Sequence, residues 1–121
     1  MQGRAVRAAD VIALYKTGSE KPLPLGGRYS AIVIDCQTRS LLLQTDRFGV
    51  WPLCWSQAGD RVGFADRADA VPCSVAPEID PQALFAYVYF HMIPAPRTVF
   101  RGVSRLEPAM ALRISRRGAA A

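Results

Sequence analysis

The sequence predicts an α+β domain with a mainly antiparallel sheet and flanking helices, and three observations carry that reading. Short apolar runs, "AIVI" at 31–34, "LLLQT" at 41–45, "VWPLCWS" at 50–56 and "RVGFAD" at 61–66, follow one another across turn residues. Helical spacing or helix-start signals occur in two places only, around 8–16 and from 80 onward. The order helix, four strands, helix, strand lacks the strand–helix alternation of a parallel sheet.

Ala8 to Lys16 reads as a short amphipathic helix with Val11, Ile12, Leu14 and Tyr15 on its apolar side, ended by Thr17-Gly18. Two prolines and a glycine pair make Ser19 to Gly27 a loop. The β-branched run Ala31 to Ile34 predicts a strand buried on both faces, and "QTRS" turns the chain into "LLLQT" as its hairpin partner. A second pair, "VWPLCWS" with "RVGFAD", closes across Gly59-Asp60. "RADAV" is one helical turn. Asp80 as N-cap and Pro81 at the first helical position open the second helix. Its stripe is Leu84, Tyr87 and Val88, flanked by Phe85 and Tyr89, and is expected to pack on a sheet. Pro94 and Pro96 exclude helix from the next stretch, and Ala111 to Ile114 forms a last strand. Residues 1–26 form an N-terminal helix and loop, 27–115 the main domain, and 116–121 a tail or linker.

The 121 residues, half of them hydrophobic, suit one small domain. No run approaches the ~18–20 apolar residues of a membrane span, so a cytoplasmic protein with no membrane partner is expected. Residues 1–80 balance nine basic against nine acidic side chains. Residues 81–121 set Arg97, Arg101, Arg105, Arg113, Arg116 and Arg117 against Glu107 alone, which accounts for the net +5. These arginines are scattered through apolar sequence and no RNA- or zinc-finger motif accompanies them. Nucleic acid is therefore a poorer partner than a protein interface. Cys36, Cys54 and Cys73 are too widely spaced for a metal or redox pair, and His91 is the only histidine. No metal site is expected.

One stretch stands apart. "LLLQTDRFGVWPLCW" runs from an apolar strand through Asp-Arg and a glycine into an aromatic strand through a proline. Asp46 can accept backbone N–H bonds, Arg47 can bridge carbonyls or a carboxylate, and Gly49 supplies backbone freedom. Pro52 sets the course of the next strand and Leu53 continues the motif. None of these is a nucleophile, base or metal ligand, so they read as a pinned inter-strand connection.

The segment "GRYSAIVIDCQTRSLLLQTDRFGVWPLCW" resembles the "G-x-F-A-F-A-x-x-D … L-x-L-A-R-D-R-F-G-x-K-P-L-Y-Y" stretch of class II glutamine amidotransferases, specifically the glutaminase domain of asparagine synthetases. "GFADRADAV" is similar to the family's "FASE-x-KAL". "IDPQALFAYVYFHMIPAPRTVFRGVSRLEPAMAL" is similar to its "D…AL-x-x-YL…P-x-P-x-T-x-F-x-G-I-x-K-L-x-P-G-x-x-L". The likeness runs from Gly27 to about Leu112. Departures fall at Thr45 for Arg, Trp51 for Lys, Cys54 for Tyr, Arg67 for Glu and Ala109 for Gly.

The resemblance implies part of an N-terminal-nucleophile sandwich, two antiparallel sheets between helices. It implies that the Asp-Arg-x-Gly-x-x-Pro-Leu link joins neighbouring core strands and faces a synthetase domain. It also implies glutamine hydrolysis by an N-terminal cysteine thiolate, with its own α-amino group as base and an oxyanion hole. That cysteine and the glutamine-binding segments belong upstream of the strand matching Arg28 to Cys36; the "SGGxDS" ATP loop, with its ATP and Mg, belongs to the synthetase domain. The chain is expected to hold neither site nor any cofactor of its own. Two functions follow. One is the C-terminal half of the glutaminase domain of an asparagine-synthetase-like protein, inactive alone; the other is a non-catalytic module docking a separate synthetase chain. Expected partners are the synthetase domain, the missing amidotransferase half, or a second copy, since a sheet stripped of its N-terminal strands leaves open edges.

Overall fold

The computed structural model describes residues 7–18, 22–72, 76, 78–115 and 118–120. In chain order its elements are α1 (Ala8–Tyr15), β1 (Ser30–Asp35), β2 (Ser40–Thr45), β3 (Cys54–Ala58) and β4 (Arg61–Ala65). A 3-10 turn (Ala68–Ala70), α2 (Pro81–Phe90), β5 (Ser104–Arg105), β6 (Ala111–Ser115) and β7 (Gly118–Ala120) follow. The strands form two antiparallel sheets, ordered β1-β2-β6-β7 and β4-β3-β5. This is the α+β fold with two antiparallel sheets and flanking helices that the sequence predicts. The chain divides into two compact units, Met1–Trp51 with Pro108–Ala121, and Pro52–Glu107.

In the first unit the Asp10 carboxylate accepts the Arg7 N–H at 3.2 Å and so satisfies a donor that the helix start leaves open. At the other end the Thr17 hydroxyl donates to the Leu14 carbonyl at 2.6 Å, and Gly18 takes φ +73°. α1 lays Val11 with Leu23 onto Ala31 and Leu42, and Leu14, Tyr15 and Val33 pack around them. Burying a side chain such as Leu42, 1% exposed, contributes about 1.5–3 kcal/mol. Tyr15 ties the helix to the hairpin, donating to Asp35 Oδ2 at 3.0 Å. Asp35 Oδ1 meanwhile accepts the Gln37 and Thr38 N–H groups at 3.0 and 3.1 Å, which makes the β1–β2 turn.

The second unit is built around Cys54, Val71 and Val103, with Ala65, Ala68 and Phe100 against them. Asp80 caps α2 by accepting the Gln82 N–H at 3.0 Å, and Pro81 sits at the first helical position, as predicted. His91 ends the helix at φ 58°, its N–H donating to the Tyr87 carbonyl at 2.7 Å.

Five expectations are corrected. β1 is not buried on both faces: among the described residues it is an edge strand, and Ile32 and Ile34 are 40% and 64% exposed on the face that α1 does not cover. The large apolar residues of α2 do not pack on a sheet. Leu84, Phe85, Tyr87, Val88 and Tyr89 are all exposed, and the helix buries Ala83, its small side chain allowing close approach. Pro52 lies ahead of β3, not within it, as its missing N–H requires of a paired strand. The link from Asp46 to Leu53 joins β2 of one sheet to β3 of the other, so the strands it connects are not neighbours in a sheet. Finally, the expected tail contains β7, paired with β6.

Candidate functional site

Asp46 is the centre of the link. It follows β2 directly and is 1% exposed. Its Oδ1 accepts the N–H groups of Phe48, Gly49 and Val50 at 3.1, 2.6 and 3.3 Å, and its Oδ2 accepts that of Tyr29 at 3.1 Å. Its own N–H donates to the Tyr29 carbonyl at 3.1 Å, and its carbonyl accepts the Ala109 N–H at 2.7 Å. The Asp46 side chain thus gathers the start of β1 and the link, and its main chain adds the turn before β6. Burial pushes the Asp46 carboxyl up, but the N–H donors of Tyr29, Val50, Gly49 and Phe48 together hold it below the ordinary carboxylate value.

Gly49 takes φ +62°, which lets three successive N–H groups converge on one oxygen. A Cβ there would meet Pro108 Cγ at 3.0 Å. Ala109 also has a positive φ, 61°, at the position where the amidotransferase pattern has glycine. Arg47 is exposed and bridges nothing among the described residues, so the bridging role expected of it is not seen. Phe48 and Trp51, 74% and 59% exposed, stand with it on the link's surface. Leu53 is buried, and its carbonyl accepts the Leu106 N–H at 2.8 Å.

Two buried polar residues escaped the sequence reading. Gln44 accepts the Leu23 N–H at Oε1 and donates from Nε2 to the Leu23 carbonyl and the Tyr29 hydroxyl, each at 2.8 Å. Thr98 donates to the Val103 carbonyl at 2.7 Å and accepts the Phe100 N–H at 3.2 Å. A glutamine inside a strand run and a threonine after a proline pair carry no signal of burial.

Nothing in this arrangement is a nucleophile. Cys54 is buried, and burial pushes its thiol up, against a partial opposing pull from Arg105. Cys36 is exposed, and Cys73 lies outside the described residues. Among the described residues no cluster of His, Cys, Asp or Glu could hold a metal ion. No described helix is long and apolar enough to cross a membrane. Of the C-terminal arginines, Arg97 approaches Asp80 at 3.5 Å, Arg105 donates to the Ile93 carbonyl at 2.9 Å, and Arg113 lies 6.0 Å from the centre of the Tyr15 ring. Arg116 and Arg117 lie outside the described residues.

Residues 9–121 match the family described as glutamine amidotransferase domain. The chain belongs to that family. Similar proteins agree with the assignment. Asparagine synthetase [glutamine-hydrolyzing] 1 of Bacillus subtilis (strain 168) is 29% identical over 100 residues, 81% of this chain and 16% of the relative. Putative asparagine synthetases [glutamine-hydrolyzing] of Mycobacterium bovis and Mycobacterium tuberculosis (strain H37Rv) are 32% identical over 104 residues, 80% of this chain and 16% of each relative. The amidotransferase chain therefore spans about a sixth of the length of the curated relatives it matches. The match takes in the whole Asp46 link.

Proposed function

We propose that these residues form the C-terminal half of the glutaminase domain of an asparagine-synthetase-like protein, working in the cytoplasm. Its reaction is glutamine hydrolysis with transfer of the amide nitrogen to an activated carboxylate, in asparagine biosynthesis. The observation that supports this most is the family match across residues 9–121, which includes the Asp46 link. In this reading the link is architectural. It holds the end of β2 and the start of β1 together, and it presents Arg47, Phe48 and Trp51 outward, toward the synthetase domain. The nucleophilic cysteine, the glutamine-binding groups and the ATP site come from sequence other than these 121 residues.

A glutaminase assay on the 121-residue chain tests the catalytic part. No ammonia release above the uncatalysed rate is expected, because Cys54 is buried with a raised pKa and the exposed Cys36 makes no hydrogen bond to a histidine or carboxylate among the described residues. Ammonia release abolished by Cys36→Ala would overturn the reading. The second function, a docking module for a separate synthetase chain, is favoured by the exposed side chains of α2, among them Phe85, Val88 and Tyr89. Surfaces of that kind mark interaction sites.

A further inference from the structure

We infer that the cavity between α2 and the loop after it binds a small monocarboxylate with an apolar body. The cavity holds about 500 Å³, and its lining falls within residues 80–104 of the second unit. Sites for small organic molecules have this size and are mostly apolar, with a few placed charges. Here Phe90 of α2, Phe100 and Val103 supply apolar wall, while Arg97, Arg101 and Asp80 supply the charge. Phe90 is 58% exposed, and its ring meets that of Tyr89 edge-on at 4.8 Å between centres. An apolar body in the cavity covers that ring.

The charges select the ligand. Arg97 is engaged, its Nε 3.5 Å from Asp80 Oδ2, while Asp80 Oδ1 accepts the Gln82 N–H. The Arg101 guanidinium makes no ion pair or hydrogen bond among the described residues. One uncompensated cation therefore borders an apolar wall. A guanidinium fork matches a carboxylate with two parallel hydrogen bonds. A phosphate monoester would bring a second negative charge beside the Asp80 carboxylate, so the single charge of a carboxylate fits better. The walls are set before any ligand arrives. The Thr98 hydroxyl donates to the Val103 carbonyl at 2.7 Å and accepts the Phe100 N–H at 3.2 Å, which fixes the shape of the loop. The Asp80 and Arg101 N–H groups donate to the Val99 and Glu78 carbonyls, each at 2.8 Å, and join that loop to the start of α2. A cavity held in this way loses little conformational freedom on binding.

Titration of the isotope-labelled 121-residue chain with phenylacetate, followed by amide NMR shifts, tests the proposal. Saturable shifts centred on the residues that line the cavity are expected. Phenylacetamide, of the same shape without the charge, should bind about tenfold more weakly, and phenyl phosphate should also bind more weakly. Arg101→Gln should weaken phenylacetate binding about tenfold. Arg61→Gln, which removes the same charge at the start of β4 and outside the cavity, should leave it unchanged. No saturable shift, full affinity in Arg101→Gln, or equal or tighter binding of phenylacetamide or phenyl phosphate would overturn the proposal. Tighter binding of a capped phenylalanyl-glutamate dipeptide would assign the cavity to a protein carboxylate and overturn it as well. Should Arg101→Gln fail to fold, the phenylacetamide comparison decides alone.

Discussion

At Asp46, one carboxylate in place of a longer turn sequence closes the link. Four backbone donors meet its two oxygens, and such charge-assisted bonds are the strong ones. Asp46→Asn keeps an acceptor for three of them but turns an NH₂ toward the Tyr29 N–H. It should lower Tm by roughly 5 °C or more, measured by thermal unfolding at neutral pH. Asp46 and Asp35 both have folded-state pKa values below the ordinary carboxylate value of 3.8. The folded state therefore holds fewer protons than the unfolded state, and folding releases them. The stability from both groups is complete above about pH 5 and is lost as pH falls through about 4 toward their folded values. Denaturant titrations at stepped pH should show that acid limb, reduced in Asp46→Asn. The two positive-φ positions beside Asp46 should respond with opposite sign. Ala109→Gly relieves an alanine held at φ 61° and should stabilise by about 1 kcal/mol. Gly49→Ala imposes the same strain and presses on Pro108, costing about 2 kcal/mol. Equal effects in urea unfolding would contradict the geometry.

Most elements were legible one by one, because local chemistry sets them. Asp80-Pro81 starts α2, Gly59 turns β3 into β4, and Thr17-Gly18 ends α1. Burial was less legible. A run such as "AIVI" reads the same in a central strand and at an edge, and only the sheet order exposes Ile32 and Ile34. The α2 stripe shows the same limit. Periodicity finds a face, but the helix packs through Ala83, where a small side chain admits close contact. Substitutions on α2 should therefore rank against size: Val88→Ala should change stability by less than about 0.5 kcal/mol. Ala83→Leu, at a position 0% exposed, should cost about 1–3 kcal/mol. The reverse ranking in chemical denaturation would mean that α2 is buried on its aromatic side. Asp46 was recognised by its motif, whereas Gln44 and Thr98 were not, since their partners lie on main chain brought near only by folding.

Over the whole molecule, the family match, two antiparallel sheets and a buried polar link agree on an amidotransferase domain. Large apolar side chains stay exposed on β1, on the link and on α2. That is more open apolar surface than a small self-contained monomer ordinarily carries. Such surface is what a domain working within a larger assembly presents, and it accords with relatives of whose length the matched residues make up 16%. Glutamine-dependent amide transfer can be tested by grafting this chain in place of the matched 100 residues of the Bacillus subtilis relative. Ammonia release and asparagine formation from glutamine would be followed in the purified chimera. Both activities retained within about tenfold, a loss of at most about 1.4 kcal/mol in transition-state stabilisation, is the predicted result. A folded chimera that hydrolyses no glutamine would contradict it.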